Sequence, residues 1–493
     1  MNFTIPKEIT EIAEKLKKGG FEAYLVGGCV RDLLLGLKPK DWDFATNALP
    51  EEIMKIFSNS FYENDYGTVG VVNDNVSDET LKVVEITPYR EESEYTDFRR
   101  PDKVSFGTTL EKDLERRDFT INAMAFDPTK GQLIDIHKGQ KDIKDKIVRA
   151  VGSPVDRFSE DGLRILRAIR ISSELGLSIE KETEKAIISS ASFIRNISKE
   201  RIRDEFSRII DSKNPVGGLI LCQNLGVLKE FLPELEQSVG VKQNKAHSYD
   251  VWTHLLKSLE HSNKKNMRFH VKLSALFHDI SKPETRRWSD EKKDWTFYGH
   301  DVVGSRVTER ILKRLKFPMK LIENVVILVR WHMFFSDTDK ITLSAVRRLV
   351  SRVGKENIWD LMDLRACDRI GTGRPKESPY RLRKFHSMIE EVMADPVSVS
   401  MLKIDGKKIM EVSQETPGPR IGYILHALLE EVLDDPSLNT EEYLEKRAME
   451  LSKLPKKELE DLGKSAKDRK DEEEEKKISE IRRILFVKNV DIV

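Results

Sequence analysis

The sequence predicts two parts: a mixed α/β domain at the N-terminal end, then an all-helical remainder. Over residues 1–150, strand-like runs (AYLVGG, DWDFAT, TVGVV, LKVVEIT) alternate with helical stretches such as EEIMKIF, the pattern of a sheet covered by helices. From about Val151 onward the period-two alternation almost disappears. EDGLRILRAIRISSELGL, EKAIISSASFI and KERIRDEFSRII instead place apolar residues at i, i+3 and i+4. The length of 493 residues suits roughly three or four domains. Breaks between helical units are expected at Asn214-Pro215, Leu232-Pro233 and around Gly371-Thr372-Gly373.

Composition narrows the class. Hydrophobic residues make up 39% of the chain, enough for ordinary cores. No apolar run reaches the ~18 residues of a membrane span, so no membrane partner is expected. The opening MNFTIPKEITEIAEKLKKGG has helical spacing and lacks a signal-peptide core, which makes the cytoplasm the expected compartment. Cys29, Cys222 and Cys367 lie far apart and read as free thiols of a reducing compartment. Lys+Arg and Asp+Glu are both 84, and this zero balance neither favours nor excludes a nucleic-acid partner; clustering on one face would decide. Residues 455–482, rich in Lys, Glu, Asp and Arg, read as a solvated helix or a partly disordered segment. The closing IRRILFVKNVDIV is apolar enough to dock.

The chemistry begins at residues 25–46, LVGGCVRDLLLGLKPKDWDFAT. Asp41 and Asp43 sit one residue apart in an expected strand, where side chains at i and i+2 share a face. Two converging carboxylates repel unless a cation joins them, and Mg²⁺ favours one or two carboxylates plus substrate phosphates. The Gly27-Gly28 turn lets backbone come close to a phosphate chain, and Arg31 can add a bidentate contact. Bare DxD is most often a polar strand end. The glycine turn, Arg31, Asp32 and the paired aspartates together point to phosphate handling.

These residues carry a resemblance. GGCVRDLLLG…DWDFAT looks like the catalytic head of polymerase-β-like nucleotidyltransferases, and more narrowly of the bacterial-type (class II) CCA-adding enzyme, tRNA nucleotidyltransferase and poly(A) polymerase family. TPYREESEYTDFRRPDKVSF resembles that family's flexible loop, DLERRDFTINAMAFD its second head motif, IDIHKGQKDIKDKIVRAVG its head-to-neck connection and SEDGLRILRAIR its nucleotide-selecting motif. The resemblance implies a nucleotidyltransferase head over 1–150, a helical neck over 151–240 for nucleotide selection and RNA binding, an HD-type helical body over 241–390 and a helical tail over 391–493. It also implies Mg²⁺ held by Asp41 and Asp43, with CTP, ATP and the tRNA acceptor end as partners. Gly28, Arg31 and Arg117 become nucleotide contacts. Glu85 could supply a third acidic group from a neighbouring strand.

Asp161, Arg164, Arg167 and Arg170 recur every three residues, one side of a helix. In an anonymous helix that row would be surface ion pairs. By resemblance, Asp161 and Arg164 pair with the Watson–Crick edge of the incoming base. A carboxylate only accepts and a guanidinium only donates. Cytosine N4 and adenine N6 therefore suit Asp161, whereas the carbonyl oxygens of uracil and guanine do not. Arg167 and Arg170 would then contact the triphosphate or neighbouring groups. The expected reaction is in-line attack of the tRNA 3′-hydroxyl on the α-phosphate, with release of pyrophosphate. The loop REESEYTDFRRPDKVSF looks intact, which disfavours CC-only addition. CCA addition is the expected reading because it is the commonest role for a single such enzyme. An A-adding enzyme or a poly(A) polymerase is the alternative within the class.

A second constellation lies further on: His254, His278-Asp279, His300, His332 and Asp368. The H…HD…D order resembles the HD phosphohydrolase superfamily, with His254, His278, Asp279 and Asp368 matching its metal ligands. Asp363 competes for the last place, and His300 and His332 could line the same pocket. Imidazole and carboxylate together suit a transition metal or Mg²⁺. An HD-domain phosphohydrolase or phosphodiesterase is thus the alternative of another class. Neck, body and tail are expected to embrace the acceptor arm through Lys/Arg rows, since double-stranded RNA is read by shape and backbone; KERIRDEFSR, KSLEHSNKKNMRFHVK and YRLRKFH are candidates. IDGKKIMEVSQETPGPRIGYILHALLEEVL resembles the family's body/tail motif, without a familiar glycine near Val412-Ser413.

Overall fold

The computed structural model describes residues 3–63, 67–74, 76–93, 103–334 and 340–463. Residues 94–102 of the expected flexible loop, and residues 464–493 with most of the charged segment and all of IRRILFVKNVDIV, lie outside the described residues. The chain divides into two compact units, residues 1–236 and 237–493.

The first unit is built on β1 (Tyr24–Val26), β2 (Asp43–Thr46), β3 (Ser60–Tyr62), β4 (Val69–Val72), β5 (Val83–Pro88), β6 (Arg90–Ser93), β7 (Lys103–Phe106), β8 (Ala125–Asp127) and β9 (Gln132–Ile134). Seven of these form one sheet in the order β3-β4-β5-β2-β1-β8-β9, and β6 pairs with β7 apart from it. Within the sheet only β2 and β5 run parallel, in a register that sets Asp43 beside Glu85. The helix Lys7–Lys18 buries Ile9, Ile12, Ala13 and Leu16, its i, i+3, i+4, i+7 stripe. That stripe shares a core with Leu25, Phe44, Val84 and Ile86. Trp42 belongs to the same core at 3% exposure, and anchoring it fixes the backbone between Asp41 and Asp43.

Two adjoining helices, Pro154–Glu160 and Leu163–Leu175, are separated by Asp161 in extended backbone (φ −145°, ψ 103°). The row expected on one continuous helix therefore begins at a break. Asp-Gly favours such a break because a short carboxylate competes for backbone N–H groups, and Asp161 Oδ1 accepts from Leu163 N–H at 3.0 Å. The helix Lys199–Ile210 packs its Ile202, Phe206, Ile209 and Ile210 inward.

The expected breaks are present. Asn214 caps the helix Pro215–Asn224, which starts on proline, another helix begins at Pro233, and Ile358–Gly371 ends at its glycine. The helix Pro419–Asp434 follows Gly418, and where a glycine looked to be missing, Gln414 takes the left-handed turn at φ 59°. The remainder is not wholly helical. Ile147–Val148 pairs with Ser178–Ile179, and Arg287–Ser289 forms a hairpin with Asp294–Thr296. The aromatic RWS and DWT runs around a charged turn are that hairpin's signal. The second unit's helices share a core containing Val271, Leu328, Leu361, Phe385 and Leu428. All three cysteines are free and buried. No described helix is long and apolar enough to cross a membrane.

Candidate functional site

Gly27 has φ +76° and ψ −136°, a conformation that an L side chain resists. Added side-chain atoms would also intrude on charged groups. A Cβ at Gly27 would lie 3.3 Å from Arg117 Nη1 and 3.6 Å from Asp43 Oδ2; at Gly28 it would lie 3.6 Å from Arg31 Nη2 and 3.7 Å from Asp41 Oδ1. Both aspartates and both guanidiniums therefore converge on the bare turn. Arg31 is steered there by Asp32, which accepts from Nε and Nη2 at 2.9 and 2.7 Å, and by Asn122 Oδ1 at 2.9 Å. Arg117 donates to Asp113 Oδ2 at 3.1 Å, leaving its Nε buried without a hydrogen-bond partner.

Burial pushes the Asp43 carboxyl up to about 7, and Asp41 and Glu85 add to the rise against Arg117. Glu85 is raised likewise by burial, then by Glu63 and Asp41. A cluster of oxygen donors that cannot all ionise cheaply fits a hard divalent cation. Asp41 precedes the strand and is exposed, whereas Asp43 opens it.

The neck row is divided. Arg164 points to the Glu160 carboxylate and to the carbonyls of Arg157 and Arg116, both at 3.2 Å. Arg167, 41% exposed, reaches Asp118 Oδ2 at 3.2 Å and Glu205 Oε1 at 3.6 Å. Arg170 is 7% exposed and enclosed by Glu205 Oε2 at 2.5 Å and Glu174 Oε2 at 2.8 Å. Of the two contacts expected of Arg170, with triphosphate or with neighbouring groups, the structure shows the neighbours: a buried ion network with Glu174 and Glu205. Three-residue steps fall short of the 3.6-residue turn, so Arg170 is rotated by about 120° from Arg164. Arg170→Ala would leave the Glu205 carboxylate poorly compensated, at a cost of about 3 kcal/mol, measured as a lower midpoint of urea unfolding. Weakened triphosphate binding at unchanged stability would restore the phosphate-contact role.

Composition and spacing missed Arg201, Glu205, Asp118 and Asn122. Arg201 holds both oxygens of Asp161, and Asp118 accepts from Asn122 Nδ2 at 3.2 Å. KERIRDEFSR looked like an RNA-facing row, yet Arg201, Glu205 and Arg208 all pair with Asp161 or with residues of the Leu163 helix.

In the second unit, His254 and His278 come from the helix Val251–Lys264 and the cap of Phe269–Phe277, Asp279 follows, and Asp368 lies on Ile358–Gly371. These four offer ligand atoms within 4.8 Å of one another, and Asp279, His300 and His332 form a second such group. Asp279 joins them. Its Oδ2 lies 3.0 Å from His254 Nε2 and 3.4 Å from His278 Nε2, and its Oδ1 lies 3.2 Å from His300 Nε2 and 3.6 Å from His332 Nε2.

The imidazole orientations fit metal ligation. Nδ1 of His278, His300 and His332 faces a backbone carbonyl of Ala275, Phe297 and Val329, at 3.0, 2.6 and 2.7 Å. That contact holds the proton on Nδ1 and turns the Nε2 lone pair inward. Nε2 of His300 and of His332 is buried without a hydrogen-bond partner. Asp363 stands outside both groups. A cavity beside the cluster is lined by Lys282, Trp295, Tyr298, Arg365, Arg369 and Tyr380 among others.

Comparison with known proteins follows this division. Residues 23–149 match the family described as Poly A polymerase head domain, residues 176–238 that described as Probable RNA and SrmB- binding site of polymerase A, and residues 245–371 the HD domain. A CCA-adding enzyme of Leuconostoc mesenteroides subsp. mesenteroides is 30% identical over 456 residues, covering 90% of this chain and 97% of that protein. One of Ligilactobacillus salivarius is 47% identical over 214 residues, 43% of this chain and 51% of that protein's length. The crystal structure of the Bacillus stearothermophilus CCA-adding enzyme in complex with CTP superposes with a TM-score of 0.67 at 27% identity, covering 90% of this chain and 96% of that one.

Proposed function

This chain belongs to the CCA-adding enzymes, and we propose that it adds C, C and A to the 3′ end of tRNA from CTP and ATP, releasing pyrophosphate, in the cytoplasm. It is a nucleotidyltransferase, with the tRNA acceptor end, CTP and ATP as partners. The convergence of Asp41, Asp43, Arg31 and Arg117 on the Gly27-Gly28 turn carries the reading. The division of labour follows head 1–150, neck 151–240, body 241–390 and tail 391–493.

Asp41 and Asp43 would hold Mg²⁺, with Glu85 beside them. When bound, the metal supplies charge neutralisation at the phosphates and a lower pKa for the attacking hydroxyl. Gly27 and Gly28 admit the triphosphate to within backbone distance, and Arg31 and Arg117 grip its oxygens. The 3′-oxygen of the RNA forms a bond to the α-phosphorus as the bond to the bridging β-oxygen breaks, in line. Asp161 accepts from the amino group of cytosine or adenine, Arg164 donates to the ring acceptors, and Arg167, the most open of the row, faces the nucleotide. Arg170 acts behind them by holding Glu205.

The test uses the purified protein, Mg²⁺ and tRNA transcripts ending before CCA, after C and after CC, with CTP, ATP or both. Three ordered additions that then stop are expected. A single A on the CC-ended transcript alone would make it an A-adding enzyme, long A-tails a poly(A) polymerase, and no incorporation would overturn the head reading.

The bridged histidine cluster favours a second activity. His254, His278, Asp279 and Asp368 would hold one divalent metal, and His300 and His332 would share Asp279 to hold another. Such a pair suits hydrolysis of a phosphate ester.

A further inference from the structure

The cavity beside the bridged histidines encloses about 1220 Å³, more than the ~300–1,000 Å³ that suits one small ligand. Its walls include the turn after the Arg287–Thr296 hairpin, the end of the Ile358–Gly371 helix with the loop after it, and the start of the Tyr380–Val392 helix. Two tyrosine rings stand open in that wall. Tyr298 and Tyr380 are each 66% exposed, more than any other large apolar side chain among the described residues. Lys292 Nζ donates to the Tyr298 hydroxyl at 2.5 Å and tethers the ring by its outer end. Trp295, by contrast, is packed: the Arg286 guanidinium lies 3.5 Å from its ring centroid, and Trp288 meets it edge-on at 5.3 Å.

The wall is positive once its ion pairs are set aside. Asp279 is matched by Lys282, Asp301 by Arg330 at 3.0 Å and Asp368 by Arg365 at 2.6 Å. Asp294 accepts from the backbone N–H groups of Lys245 and Trp295 at 3.0 and 2.9 Å. Against that one acid stand three cations. Lys292 and Arg369 meet neutral oxygens, the Tyr298 hydroxyl and the Lys376 carbonyl, and Arg374 is exposed. Open rings beside uncancelled cations are what a single-stranded nucleic acid needs, since its bases stack and its backbone carries the charge. A duplex keeps its base faces inside, and an acidic peptide would meet the cations but not the rings.

Resting on the reading of the histidine cluster as a phosphate-ester site, we propose that this cavity takes the end of a single-stranded nucleic acid. Bases stack on Tyr298 and Tyr380, and backbone phosphates lie against Lys292, Arg369 and Arg374. The volume admits more than one nucleotide, so the occupant is a strand rather than a mononucleotide. Trp295, braced on both sides, forms the rigid part of the wall.

The test follows the fluorescence anisotropy of an end-labelled hexa-adenylate RNA titrated with the full chain in chelator, which keeps the strand intact. Tyr298→Ala and Tyr380→Ala are each expected to weaken binding about tenfold, the scale of one lost base stack. Tyr298→Phe and Tyr380→Phe keep the ring and are expected to bind as wild type. Arg374→Ala is expected to lower the slope of log affinity against log salt by ~0.7, one phosphate contact on a single strand. Undiminished binding by both alanine variants overturns the proposal, and so does a loss in the phenylalanine variants equal to that in the alanine variants. AMP that competes as strongly as the hexamer overturns the strand in favour of a mononucleotide. Mn²⁺-dependent hydrolysis of bis(p-nitrophenyl) phosphate is read separately. Hydrolysis without hexamer binding keeps the second activity and overturns the proposal; tyrosine-dependent binding without hydrolysis keeps the binding site and overturns the second activity.

Discussion

Asp41→Ala and Asp43→Asn should each lower nucleotide addition by at least about a thousandfold, on the scale of losing a preorganised charge at the reacting phosphate. The two variants differ in stability. The Asp43 carboxyl, raised to about 7 by burial and then by Asp41 and Glu85, stands well above the ~4 of an unfolded aspartate. The stability tied to its protonated form is fully present below about pH 4 and is lost as the pH rises through about 7. Asparagine is neutral at every pH. Metal-free Asp43→Asn protein should therefore melt above wild type at pH 8 and no higher at pH 4. Excess Mg²⁺ should narrow the difference at pH 8, because only wild type gains from binding the cation to its native form. Asp41 is exposed, so Asp41→Ala should change the melt far less. Single-turnover extension of a CC-ended transcript, with melts in chelator and in Mg²⁺ at both pH values, separates the outcomes. Equal melting at pH 8 in chelator would show that burial beside Asp41 and Glu85 does not penalise the charged Asp43 carboxylate. Residual addition near wild type would remove Asp41 and Asp43 from the centre.

How far the sequence could carry these assignments depended on which neighbours a local pattern can reveal. Gly27-Gly28, Arg31 and the Asp41/Asp43 pair were legible because a glycine turn and a two-residue spacing are local facts. Trp42 then confirms the spacing by anchoring the residue between them. Glu85 beside Asp43 needed the parallel β2–β5 pairing, a long-range match that alternation alone does not specify. The row from Asp161 to Arg170 was visible as a spacing but not as a division of labour. The break after Glu160 and the lag of three-residue steps turn Arg170 into the Glu174–Glu205 network.

Arg201 was hidden for a different reason. Hydrophobic periodicity says which face of Lys199–Ile210 is buried, not which acid of another helix meets its charges, so a pairing forty residues away in sequence looked like a basic surface. The hairpin at Arg287–Thr296 is the one departure of type that left a signal, aromatic residues around a charged turn. The bridged histidines are the opposite case. Their residue types and order were plain, but only the Nδ1 contacts to backbone carbonyls say which nitrogen faces inward.

Asp279→Ala should empty both metal groups at once, because Asp279 belongs to each of them. Metal content of the dialysed full chain, measured by mass spectrometry after loading with Mn²⁺, should fall to near zero. Any hydrolysis of phosphate esters should vanish with it, while nucleotide addition by the head stays within about twofold, since the two sites share no residues and belong to separate compact units. Asp279 is also the carboxylate partner of Lys282, at 2.5 Å, and both are buried. Removing it leaves that ammonium to Gln243 Oε1 at 2.7 Å, at a cost of about 3 kcal/mol in stability. A loss of metal could then reflect a loosened body rather than a missing ligand, and His300→Ala distinguishes the two. His300 offers a ligand atom only to the second group, so this variant should keep metal at His254, His278 and Asp368 while losing the other ion. Half the metal in His300→Ala and none in Asp279→Ala would establish a bridged pair. Full metal in His300→Ala and none in Asp279→Ala would mean a single ion held by His254, His278, Asp279 and Asp368, with His300 and His332 lining its cavity.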